Sequence, residues 1–75
     1  MPSLKCTYRE FIAALLAAGF VLLRQEGSHR QYRRAEGGGV WLVTVAAHDL
    51  NADIPVGTLK SMIRQAGFAE KRFRK

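Results

Sequence analysis

Phe11 to Leu23 (FIAALLAAGFVLL) is a run of thirteen residues without a charge in a chain of 75, and any fold of this chain must dispose of it. A domain of this length buries only roughly 60% of the surface its unfolded chain exposes, so the core is modest and there is no room for a second domain. Lys5 and Arg9 before the run give it the outline of a signal peptide. It falls short of the roughly 20 apolar residues that span a bilayer. Glu10 interrupts the basic flank, and Arg24, Gln25 and Glu26 follow in place of a small-residue cleavage site. Removing so much of the chain would also leave too little to fold. We therefore expect an amphipathic helix passing directly into a buried strand, within one domain over residues 1–75 and with no membrane partner.

Local signals divide the rest. Thr7 and Glu10 have capping-box spacing, predicting a helix over Tyr8–Ala18 with Phe11, Ile12, Leu15 and Leu16 on one face. Gly19 can take the left-handed conformation that ends a helix. Phe20–Gln25 reads as a strand, and Gly27-Ser28 as a tight connection to a second strand over His29–Arg34. Period two sets His29, Gln31 and Arg33 on one face, and Arg30, Tyr32 and Arg34 on the other. Glu36–Gly39 forms a turn, and Val40–Val45 is β-branched and aromatic enough to be the clearest strand. His48–Ile54 is a loop. Pro55 suits the first turn of a helix whose Leu59, Met62, Ile63 and Ala66 form an apolar stripe, with Gly67 as its stop. The basic tail from Phe68 to Lys75 reads as a frayed helix or disorder. The pattern predicts an α+β domain ordered α-β-β-β-α, with a three-stranded antiparallel sheet, both helices on one face and the other face solvated.

Twelve Lys and Arg against six Asp and Glu give a formal charge of +6. Such a field attracts polyanions: nucleic acid first, then an acidic protein partner or an anionic membrane surface. Cys6 is the single cysteine, which fits a reducing cytoplasm. One Cys and two His, nineteen residues apart, do not have the spacing of a metal site, and no acidic cluster suggests a two-metal nuclease. Gly37–Gly39 lacks the Lys-Ser/Thr of a phosphate loop. The residues call for neither metal nor small-molecule cofactor.

RNA is cut without metal when its own 2′-OH attacks the adjacent phosphate. The protein then needs a group that moves protons near neutrality, and cations for the transition state. His29 is the candidate for the first task, its ordinary pKa of about 6.5 being suited to it. Arg24, Arg30, Arg33 and Arg34 surround it in sequence and are candidates for the second. Lys60 and Arg64 lie off the apolar stripe of the last helix, where they serve as phosphate grips or as an ordinary solvated face. Trp41 reads as core or hairpin packing ahead of a base-stacking platform. On these residues alone, an exposed histidine on a non-catalytic RNA-binding module, or a basic surface that docks an acidic partner, stays open.

Longer blocks carry more. Gly19-Phe20, then Arg24-Gln25-Glu26-Gly27-Ser28-His29-Arg30-Gln31-Tyr32, Val43-Thr44-Val45 with His48, and Gly57-Thr58-Leu59-Lys60-Ser61-Met62-Ile63-Arg64-Gln65-Ala66-Gly67 resemble the HicA (YcfA-like) toxins of bacterial toxin–antitoxin systems. The resemblance covers about Tyr8 to Gly67. It implies a fold like that of the double-stranded-RNA-binding domain, metal-independent mRNA cleavage, and silencing by a HicB-type antitoxin. It puts the catalytic histidine on His29, asks Gly27 for chain geometry, and gives Ser28 a hold on phosphate or imidazole. The proline that often shortly precedes the family's second histidine is absent here, where Ala46 and Ala47 precede His48.

Overall fold

The computed structural model describes residues 3–75; residues 1 and 2 of the expected domain lie outside them. The elements are α1 (Tyr8–Ala17), β1 (Val21–Glu26), β2 (His29–Glu36), β3 (Gly39–Ala46) and α2 (Val56–Ala66), then a short 3₁₀ turn, Glu70–Phe73. The sheet is antiparallel in the order β1-β2-β3. The expected α-β-β-β-α order and α+β class hold.

Both helices start and stop for visible reasons. The Thr7 hydroxyl accepts the Glu10 N–H at 3.0 Å and the Glu10 carboxylate accepts the Thr7 N–H at 2.8 Å, completing the capping box. After α1, the N–H groups of Gly19 and Phe20 donate to the carbonyls of Leu16 and Leu15. After α2, those of Gly67 and Phe68 donate to Arg64 and Ile63. Each is a Schellman ending, with glycine at left-handed φ (+95° and +71°) and a phenylalanine turned back to the core. Pro55 stands at the N-cap of α2 rather than in its first turn, its ψ of 140° keeping it extended until Val56 begins the helix.

Two glycine hairpins set the sheet register. Gly27 alone has positive φ in the Gly27-Ser28 turn, whereas Gly37 and Gly38 both do in the second turn. These are the II′ and I′ patterns that match strand twist. Glu26 is thereby paired with His29, and Glu36 with Gly39.

The core is Phe11 and Leu15 of α1, Phe20, Tyr32, Val43, Val45, Ile54, and Leu59, Met62, Ile63 and Ala66 of α2, closed by Cys6 and Phe73. Tyr32, Val43 and Val45 are buried from one face of the sheet, so both helices cover that face, as expected. Trp41 belongs to the same face by register and packs on the end of α2: a Cβ added at Gly67 would lie 2.9 Å from its ring. The ring makes this packing contact while staying 39% exposed.

Two expectations are corrected. The strand after α1 is not buried, because β1 lies at the sheet edge and every one of its residues is exposed. Val21, Leu22 and Leu23 stay outside the core, and a register shift between Leu22 and Arg24 breaks the regularity of the edge. Such a bulge discourages another strand from pairing there. The tail is neither frayed nor disordered. Ser3 and Lys75 exchange backbone hydrogen bonds (3.0 and 2.8 Å), and the Lys5 N–H donates to Phe73 at 2.9 Å. Phe73 stacks on Phe11 with centroids 5.2 Å apart, and the Arg72 guanidinium lies 4.4 Å from the Phe68 ring centroid. Aromatic burial in the last residues supplies the contact energy that composition did not reveal.

Candidate active site

The sheet face away from the helices is open. His29 is exposed there as the first residue of β2, directly after the Gly27-Ser28 turn. Gly27 has φ +58° with open space around it, so backbone conformation and not crowding demands glycine. The Ser28 carbonyl accepts the Ala47 N–H at 3.0 Å, and the Gln25 side-chain amide donates to the Gly27 carbonyl at 3.1 Å. The turn that presents His29 is thus braced by β1 and by the residue after β3.

Across the sheet, His29 stands between Glu26 and Ala46, and the next row on this face is Arg24, Gln31 and Thr44. These residues and Arg30 line a shallow depression of about 360 Å³: Arg24, Glu26, His29, Arg30, Gln31 and Thr44. Arg24 pairs with Glu26 at 2.7 Å, both side chains well exposed. Arg30 shares the lining although its register position, opposite Val45, belongs to the other face. The small side chain of Ala46 leaves the β3 side of His29 uncovered.

The other expected residues are dispersed. Arg33 is on the open face, about 13 Å along β2 from His29 at the usual strand rise, in a row with Val21 and Leu42. Arg34 is on the helix-covered face. It donates to the Ala18 carbonyl (3.1 Å), pairs with Glu36 (2.7 Å), and lies over the Phe20 ring at 5.5 Å. Lys60 and Arg64 are exposed on α2, outside the depression. The side of α2 turned to β3 carries Ser61 and Gln65, whose side-chain oxygen accepts the Thr44 N–H at 3.4 Å. Ser28 is half-buried beside His29 in the turn.

His48 is exposed, and among the described residues no hydrogen bond holds its imidazole. The loop is secured to α1 without it: the N–H groups of Tyr8 and Arg9 donate to Ala52 and Leu50, and the Arg9 guanidinium donates to Asn51. Burial pushes the Cys6 thiol up to about 11, so it stays protonated and is no nucleophile. The described residues contain no group of three or more His, Cys, Asp or Glu able to hold a metal ion. No helix among them is long and apolar enough to cross a membrane.

Glu26 and Thr44 were missed as neighbours of His29. Gln31 was legible from period two, and Glu26 from the two-residue turn, which forces the flanking residues to pair. Thr44 required the β2–β3 register.

The fold defines a small basic α+β domain of α-β-β-β-α order, whose candidate site is the open sheet face bearing His29 and Arg24. The family model for the HicA toxin of bacterial toxin–antitoxin systems matches residues 8–68, and the chain belongs to that family. The match begins with α1 and ends at Phe68, so that Cys6, the Thr7 cap and the C-terminal segment lie outside it. No curated protein matches the chain.

Proposed function

We propose that this toxin is a metal-independent mRNA endoribonuclease in which His29 transfers a proton during attack of the 2′-OH on the adjacent phosphate. The observation that carries the reading is the exposed His29 in a depression lined by Arg24 and Arg30. A phosphate entering there meets the exposed Arg24 guanidinium, while Arg30, whose register position belongs to the other face, adds to the positive field. Guanidinium groups match phosphate oxygens with paired donors, and in the transition state they offset the charge that builds on the nonbridging oxygens. Ser28, Arg33, Lys60 and Arg64 extend the reach to neighbouring phosphates. Arg34, engaged with Ala18 and Glu36, contributes field and not contact. No cofactor is required, and the cytoplasm is where such a protein meets mRNA.

We assign the silencing partner as a HicB-type antitoxin that covers the same face. The exposed Val40 and Leu42 on β3, next to Arg33, provide apolar surface for it, while the positive field speeds its approach.

The test is single-turnover cleavage of a synthetic RNA in chelator, comparing the unmodified protein with His29→Ala. Cleavage by the unmodified protein and loss in a well-folded variant is the expected result. Undiminished cleavage by His29→Ala overturns the assignment; salt-sensitive RNA binding with no cleavage by either protein selects the non-catalytic RNA-binding module.

A further inference from the structure

We infer that Glu26 is the second proton-transfer residue of this site, taking the 2′-OH proton while the His29 imidazolium protonates the leaving 5′ oxygen. This rests on the reading of the open face as a ribonuclease site and assigns a role that reading leaves vacant.

In-line transesterification moves two protons on opposite sides of phosphorus. The 2′ oxygen loses one as the 2′-O–P bond forms, and the 5′ oxygen gains one as the P–O5′ bond breaks. One imidazole does not occupy both positions in a single displacement. The groups lining the depression are Arg24, Glu26, His29, Arg30, Gln31 and Thr44. Of these, only Glu26 and His29 are side chains of the kind that serve as general acids and bases; arginine stays charged, and the amide and hydroxyl groups are poor proton carriers.

Their geometry suits a shared task. Glu26 and His29 are the closing pair of the β1–β2 hairpin, directly opposite each other on the same face. Cβ atoms so placed are roughly 4.5–5.5 Å apart, near enough for one phosphodiester to be flanked by both side chains. The Glu26 carboxylate pairs with Arg24 at 2.7 Å in the unliganded protein. A phosphate that draws Arg24 to itself releases that carboxylate beside the attacking hydroxyl. The charged group beside the pair on this face is Arg24 of β1, Arg30 of β2 lining the depression from a register position on the other face; β3 offers only Ala46 and Thr44 there. The protons balance: Glu26 ends protonated and His29 neutral, the RNA ends as a 2′,3′-cyclic phosphate and a 5′-OH, and solvent exchange resets both groups.

The experiment is a pH–rate profile of single-turnover cleavage for the full chain and for Glu26→Gln, Glu26→Asp and His29→Ala, with thermal melts at each pH. The unmodified protein is expected to give a bell, falling in acid as the carboxylate protonates and in base as the imidazolium is lost. Glu26→Gln should lose roughly 10²–10⁴-fold in rate and lose the acid limb, keeping the alkaline one. Glu26→Asp should retain both limbs at a lower rate. An unchanged rate in Glu26→Gln, or a lower rate with the whole bell preserved, overturns the role of Glu26 while leaving His29 in place. Should Glu26→Gln fail to fold, the unmodified protein and Glu26→Asp still decide, since a profile without an acid limb in either also overturns it. Full cleavage by His29→Ala instead removes His29 from the chemistry and the pairing with it, and absence of cleavage by the unmodified protein removes the ribonuclease reading itself.

Discussion

Arg33 and Arg34 are neighbours in the chain but sit on opposite faces of the sheet, Arg33 in an open row with Val21 and Leu42, Arg34 tied to the Ala18 carbonyl at the end of α1. Equal in composition, they differ in consequence. Arg33→Ala should weaken RNA binding, flattening its log–log salt dependence by roughly 0.7 if one single-strand phosphate contact is lost. Arg34→Ala should leave that slope nearly unchanged and destabilise the fold by about 1–3 kcal/mol, the usual cost of stripping a partner from a half-buried polar group. Salt titrations and urea melts on both variants check this; a steeper loss of affinity in Arg34→Ala would reverse the assignment.

His29 and His48 should separate in the same way. Both are exposed, so His29→Ala and His48→Ala should each move stability by only about ±0.5 kcal/mol. His29→Ala should lose on the order of 10²–10⁴-fold in cleavage and with it toxicity, and His48→Ala should keep most of both. Loss confined to His48→Ala would transfer the chemistry to the loop.

Gly67 and Gly27 both adopt positive φ, but only Gly67 is also pressed against a side chain, the ring of Trp41. Gly27→Ala should cost about 1–2 kcal/mol from backbone strain alone. Gly67→Ala should cost more, because the ring must move as well. Replacing Trp41 with leucine should relieve the excess in Gly67→Ala and nothing in Gly27→Ala, as read by urea unfolding.

The terminal clasp should respond to acid. Glu10 is held down at about 2 by its hydrogen bond from Lys75, at 2.7 Å, and by the Thr7 N–H. A carboxylate depressed in the folded state stabilises above its unfolded value of about 4.3, and that contribution fades as pH falls towards 2. Melting temperature should therefore decline over this window, and Glu10→Gln should start lower at neutral pH and decline less. Lys75, raised by the same bond, loses its share above its ordinary range in alkali. An identical acid profile in Glu10→Gln would show that other carboxylates govern it.

Antitoxin masking is open to footprinting. Histidine-modifying reagent should label His29 in the free toxin and not in the complex, while His48 stays reactive in both. Equal labelling of His29 would exclude direct cover, whatever the growth phenotype.

The order and type of the elements were determined by the sequence itself, because the signals are local. A capping box at Thr7, glycine stops at Gly19 and Gly67, and a turn at Gly27 act over four or five residues. That His29 lies on the face of β2 opposite Tyr32 followed from period two, and the burial of Tyr32 makes the His29 face the open one. The tertiary structure decided what depends on partners distant in the chain. Whether β1 is buried turned on its place at the edge of the sheet, which hydropathy does not encode. The tail order turned on Phe73 meeting Phe11, and the sorting of six candidate cations turned on which of them found a carbonyl, a carboxylate or a ring. Glu26 comes between these limits. Its pairing with His29 was implicit in a two-residue turn, but its place in a depression also lined by Arg30, Gln31 and Thr44 required the register of three strands.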